Sequence, residues 1–269
     1  MATDLCRGIP GNITEALRFW TQNAYQHAEM MVDFYENSRA VVEDYFRDEL
    51  YRLLEAFRVL SERAQKEEPS FAEERALAND YTVANYDFLT MMNRLKYEGI
   101  NGYPYLMMLL NHVVYEQRYT NSIFSYAGAQ NNNYIYGRSE APSSCLYATL
   151  YFFSIINAQH PSILLTVEAF AEAITGELLN EMLRLINSFN DINFRLSALG
   201  NDVSDEALLP VFSDFREENR VLLSVLESIQ SAAPGVYRNG SAPDELPSIF
   251  YMMTQHFLEE QKLEEQIKE

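Results

Sequence analysis

Residues 104–128 read PYLMMLLNHVVYEQRYTNSIFSYAG, and residues 247–267 read PSIFYMMTQHFLEEQKLEEQI. Each stretch opens on a proline, carries a Met-Met pair, and then sets His, Glu and Gln in one order: His112, Glu116, Gln117 and His256, Glu260, Gln261. Stepping by three and four picks out Tyr105, Leu109, His112, Glu116, Tyr119 and Ile123 in the first. The same steps pick out Ile249, Met253, His256, Glu260, Leu263 and Ile267 in the second. Residues so spaced share one side of an α-helix. Each stretch therefore predicts a helix whose apolar seam holds a His and a Glu one turn apart. Proline suits the first turn, where its missing N–H costs no hydrogen bond.

Working outward, the other two histidines also form a matched pair. Phe19-Trp20 precedes Gln26-His27, and Phe152-Phe153 precedes Gln159-His160, with the second aromatic seven residues before the His each time. His27 lies on the seam Ile13, Leu17, Trp20, Ala24, His27, Met31, Phe34. Weaker echoes fall between, in order: Glu49-Leu50 with Glu177-Leu178, and Asn85 and Leu89 with Asn219 and Leu223. The first histidines are offset by 133 residues and the second by 144, as a diverged duplication with unequal loops would give. The Asn-, Gly- and Ser-rich stretch Ala127–Ser144 falls where a junction is needed.

The duplication predicts an all-α chain of two tandem four-helix bundles, at 1–132 and 145–269, joined by a polar linker at 133–144. In the first repeat the expected helices run Ile13–Glu36 with Asn12 as N-cap, Arg39–Lys66, Ser70 to before Gly99, and Pro104–Gly128. In the second they lie near 145–173, 176–199, 204–231 and 246–268, with Pro161 expected to kink or interrupt the first.

Composition bounds the rest. The 269 residues are 48% hydrophobic, so a sizeable core is expected and global disorder is not. Only 10 Gly and 9 Pro are present, which favours helices over a turn-rich β architecture. A formal charge of −19 repels phosphates and anionic lipid heads, so neither nucleic acid nor membrane is an expected partner. The most apolar stretch, Leu146–Ile156, is too short to span a bilayer, and residues 1–12 do not read as a secretory signal. Cys6 and Cys145 match no zinc spacing and read as two reduced thiols. The expectation is a soluble cytoplasmic protein.

A carboxylate on an apolar seam is costly unless it is paired or holds a cation. His112 and Glu116, joined by His27 from a facing helix, would give two imidazoles and one carboxylate. His160, His256 and Glu260 would repeat the set. Such donors suit iron, manganese or zinc; the competing reading is a metal-free polar network that fixes helix register. Glu49 borders the second helix's seam and reads as a solvated charge rather than a further ligand. The Met and aromatic stripes read as core, and the run Glu259–Glu269 as the exposed side of the last helix. No phosphate-binding Gly loop, nucleophile elbow or Ser–His–Asp set stands out, so no catalytic residues are assigned and the reading leans against an enzyme without deciding it.

The doubled motifs, Phe-Trp then His in helix one and His-x-x-x-Glu in helix four, resemble the tandem ferritin-like proteins of domain-of-unknown-function family 2935, found mainly in spore-forming bacteria. The resemblance covers the chain from Ile13 onward. It implies two ferritin-like four-helix bundles with His27, His112, Glu116 and His160, His256, Glu260 as metal ligands. That family tends to carry a Glu three residues before the aromatic pair, where this sequence has Ala16 and Thr149, with Glu15 turned about a quarter-turn away. Two functions follow. One is a metal-binding protein with a reduced site in each repeat. The other is a non-enzymatic, self-assembling and spore-associated structural protein that keeps the bundle fold without metal, as a homo-oligomer or higher-order particle.

Overall fold

The protein is described here from a computed structural model, over residues 13–37, 44–67, 69–98, 104–129, 142–200, 203–244 and 246–267. It is all-α. Nine helices form among the described residues: α1 (Ile13–Asn37), α2 (Asp44–Ala64), α3 (Phe71–Glu98), α4 (Pro104–Ala129), α5 (Pro142–Leu165), α6 (Glu168–Ala173), α7 (Gly176–Leu199), α8 (Asp205–Gln230) and α9 (Ser248–Glu264). No strand forms among these residues; a single antiparallel bridge joins Ile174 to Tyr237. No helix among them is long and apolar enough to cross a membrane. Cys6, the Cys145 side chain, the Asn12 cap and most of the Ala127–Ser144 junction lie outside the described residues.

The chain divides into two compact units. Among the described residues, one covers 13–129 and the other 142–267. We call them the N-terminal and C-terminal units.

In the N-terminal unit, α1 packs along α2 and α3 along α4, with α2–α3, α1–α3 and α1–α4 contacts closing the core. The seam read from α1 is the buried one: Leu17, Trp20, Ala24, His27, Met31 and Phe34 all point inward. Phe57, Tyr81, Phe88 and Phe124 fill the interior from the other three helices. Each such side chain contributes roughly 1.5–3 kcal/mol by leaving water. Helix α3 starts on a reciprocal cap: Ser70 Oγ accepts from the Glu73 N–H (3.4 Å), and the Glu73 carboxylate accepts from the Ser70 N–H (2.8 Å).

In the C-terminal unit, α5 packs along α7 and α8 along α9, with α7–α8, α5–α8 and α5–α9 contacts. Met182, Leu185, Phe189, Ile192 and Leu196 make the buried stripe of α7. That helix is capped by the Thr175 hydroxyl, which accepts from the Leu178 N–H, and ends at Gly200 with φ +74°, a conformation that favours glycine.

Pro161 does not interrupt the helix. Helix α5 runs through Pro161 to Leu165, and the chain interrupts at Thr166-Val167 before α6. Pro161 has no N–H for the Asn157 carbonyl, but the Ser162 hydroxyl bonds the next one, Ala158 (2.7 Å). Thr166 instead turns its hydroxyl onto the Ile163 carbonyl (2.6 Å), and its own N–H bonds that same carbonyl (3.0 Å). Those local bonds tighten the last turn and end the helix.

The run Glu259–Glu269 is also corrected. Glu260, Gln261, Leu263, Glu264 and Ile267 are buried, so the last helix presents a carboxylate-bearing face to the core rather than to solvent.

Candidate metal centre

In the N-terminal unit, α1 carries His27 inward and α4 carries His112 and Glu116, one turn apart. All three side chains are 0% exposed. The carboxylate stands between the two rings: Glu116 Oε2 is 3.3 Å from His27 Nε2, and Oε1 is 3.0 Å from His112 Nε2. The three residues offer donor atoms that all lie within 4.8 Å of one another. Donors on arms of about 2.1 Å around a tetrahedral ion sit about 3.4 Å apart, so this spacing fits a first-row ion with small side-chain adjustments.

The C-terminal unit repeats the set on α5 and α9. His160 Nε2 is 3.1 Å from Glu260 Oε2, and His256 Nε2 is 3.5 Å from Glu260 Oε1. The His160 ring stacks on Phe257 at 4.1 Å between centroids. The N-terminal unit thus holds a buried His/Glu group that can take a metal ion, and the C-terminal unit sets two buried histidines about Glu260. Among the described residues no lysine or arginine is buried.

A shell of amides surrounds each set, and sequence reading missed it. In the N-terminal unit the Gln117 amide nitrogen lies 2.8 Å from His27 Nδ1 and 3.3 Å from Asn23 Oδ1. Asn23 Nδ2 in turn donates to Glu116 Oε2 at 3.3 Å. Gln117 Oε1 accepts from the Tyr81 hydroxyl (2.8 Å), which also bonds Thr120 Oγ1 (3.0 Å). Asn85 Nδ2 donates to the Gln117 carbonyl (2.7 Å). Burial pushes the Tyr81 phenol well above its usual value; the Thr120 bond opposes this, and the nearby Glu116 charge adds to it.

In the C-terminal unit, Gln261 Nε2 lies 3.2 Å from His160 Nδ1, 2.8 Å from Asn157 Oδ1 and 3.1 Å from Glu264 Oε1. Asn157 Nδ2 donates to Glu264 Oε2 at 2.6 Å. Asn219 Nδ2 donates to the Gln261 carbonyl at 3.3 Å. The Asn85/Asn219 echo in the sequence therefore has one cause: both residues satisfy the backbone carbonyl of the Gln that follows the buried seam Glu. Glu264 was legible too, since His256, Glu260 and Glu264 step by four along one stripe.

Other expected positions stay apart from the centres. Glu49 pairs with Arg52 on the surface of α2, and this guanidinium is the chief reason its carboxyl lies below the usual range. Ala16 is buried, whereas Glu15 faces solvent. No family model matches the chain, and neither a curated protein nor a solved structure matches it significantly.

Proposed function

We propose that this protein binds a first-row transition-metal ion, iron, manganese or zinc, through its buried His/Glu sets, as a ferritin-like helical protein. The observation that carries this reading is the convergence of His27 and His112 on Glu116 in a fully buried position. A carboxylate there needs positive charge, and a divalent ion supplies it while using both imidazoles as neutral donors. The second set, on α5 and α9, supports the same reading by repeating the donor types and their helix positions. With Ala16 where the resembled family carries an acid, the N-terminal set has three protein donors and leaves coordination positions for water or a small ligand.

The test is elemental analysis of protein purified without chelator, followed by melting with added Fe(II), Mn(II) or Zn(II). The expected result is bound metal near stoichiometry, lost in His112→Ala. Metal at a hundred times its Kd should stabilise the fold by about 2.7 kcal/mol. Metal-free protein whose melting is unchanged by all three ions overturns the proposal in favour of a metal-free polar network.

A further inference from the structure

A neutral imidazole carries one proton on one of its two nitrogens, and the partner of the other nitrogen decides which. A ring that gives Nε2 to a metal holds its proton on Nδ1, and that N–H needs an acceptor. His27 Nδ1 faces the Gln117 amide nitrogen at 2.8 Å. An amide nitrogen only donates, so Nδ1 accepts and the proton sits on Nε2, toward Glu116. Gln261 Nε2 faces His160 Nδ1 at 3.2 Å, and its two hydrogens are shared with Asn157 Oδ1 (2.8 Å) and Glu264 Oε1 (3.1 Å). An amide nitrogen does not accept, so a proton on either Nδ1 is disfavoured as the two amides now stand.

The two units differ in what moving the proton to Nδ1 would require. Half a turn of the Gln117 amide would present Oε1 to a His27 Nδ1–H and Nε2 to the Tyr81 hydroxyl. A hydroxyl both donates and accepts. Tyr81 would then accept from Gln117 and donate to Thr120 Oγ1, which in turn donates to the Gln117 carbonyl (3.1 Å). The 3.3 Å bond to Asn23 Oδ1 is lost and becomes a contact between two oxygens, looser than the one Asn157 Oδ1 (2.8 Å) would make with a turned Gln261. The change moves a proton from Nε2 to Nδ1 and releases none.

In the C-terminal unit the same turn fails on two sides. As a carboxylate Glu264 only accepts, and it draws on both amides, Asn157 Nδ2 and Gln261 Nε2. Turning Gln261 would set its oxygen against the Glu264 and Asn157 oxygens with no hydrogen between them. The displaced nitrogen would find no hydroxyl. Phe215 stands one turn before Asn219, as Tyr81 stands one turn before Asn85. Gln261 Oε1 has no hydrogen-bond partner among the described residues, whereas Gln117 Oε1 accepts from the Tyr81 hydroxyl.

We infer that the two centres are unequal: Gln117 is a reversible amide that frees His27 for a metal, whereas Glu264 and Phe215 lock Gln261 and keep His160 Nε2 protonated, so the N-terminal unit takes the metal and the C-terminal unit resists it. Glu264 acts through Gln261 and is a positioning residue. The inference rests on the metal-binding reading above.

The experiment uses the full chain labelled with 15N, zinc as the probe, and long-range 1H–15N spectra that report the protonated nitrogen of each ring. In metal-free protein His160 is expected as Nε2–H. About one zinc per chain is expected to bind, converting His27 to Nδ1–H and leaving His160 unchanged. The double variant Glu264→Thr, Phe215→Tyr gives the C-terminal unit the residues of the N-terminal one. It should bind about two zinc ions per chain and let His160 convert. The reciprocal variant Tyr81→Phe, Thr120→Glu should lose tight zinc binding while keeping its helical spectrum. The inference is overturned by equal conversion of His27 and His160 in the wild type, or by a folded Glu264→Thr, Phe215→Tyr chain that stays at one zinc. If no zinc binds anywhere, the metal reading fails. The lock is then judged on metal-free protein alone: Nε2–H on His160 supports it, and Nδ1–H there overturns it.

Discussion

Single polar atoms decide much of this molecule. Tyr237 shows the cost of one that is badly placed. Its ring is buried, its hydroxyl has no hydrogen-bond partner among the described residues, and burial, with Tyr251 adding, pushes the phenol up to about 12. Removing a buried, unsatisfied hydroxyl removes a desolvation cost. Tyr237→Phe should therefore match the wild type or exceed it by about 1 kcal/mol in urea unfolding; a loss of that size would refute this account. The residue scale is also where sequence reading met its limit. His27, His112, Glu116 and their counterparts were legible because seam spacing and chain order single them out. Gln117 and Gln261 were visible as part of the repeated motif, yet one step off the seam they had no assigned role. Their work depends on which helix faces them, and no spacing within one helix reveals that. Tyr81 and Phe215 look alike as core aromatics, and only the neighbouring amide makes the single hydroxyl matter.

Among the elements, most helix limits followed from seams and caps. The apolar stripe of α1 and the start of α4 at Pro104 stand as read from the sequence. The limit at Pro161 did not, because a proline says only that one N–H is missing. Whether the helix survives depends on who satisfies the neighbouring carbonyls, and Ser162 does so for Ala158. Helix α3 offers a direct check on capping. Glu73 is held down to about 2 by Lys66 first and then by the Ser70 hydroxyl and N–H. Its folded value lies below its unfolded one, so its contribution is full at neutral pH and is lost as pH falls from about 4.5 to about 2. The gap in urea midpoint between wild type and Glu73→Gln should close over that window. Ser70→Ala, which removes the cap itself, should cost about 1 kcal/mol at neutral pH.

For the whole molecule, net charge is the global term that salt can probe. A net −19 makes the compact state repel itself. Raising salt from about 10 mM to about 150 mM shortens the screening length from about 30 Å to about 8 Å. The melting temperature of metal-free protein should rise over that range. A fall would mean that the surface ion pairs, such as Arg184 with Glu181 and Glu218 and Arg195 with Asp214, outweigh the net repulsion. The same acidity bears on the metal reading, since an acidic surface concentrates cations around a chain whose buried carboxylates can use one.

The bridge between Ile174 and Tyr237 has a consequence for proteolysis. Residues 231–244 form the longest described stretch without a helix, and Arg238 is the only basic residue in it. Its N–H bonds the Ala173 carbonyl (2.8 Å) and its guanidinium the Ile174 carbonyl (2.7 Å). A trypsin-like protease needs that side chain free and several residues drawn out as an extended strand. The folded chain should therefore resist nicking after Arg238 despite its loop position. Thr175→Val, which removes the hydroxyl that bonds the Gly235 carbonyl (3.0 Å), should speed the cut by loosening the same tether.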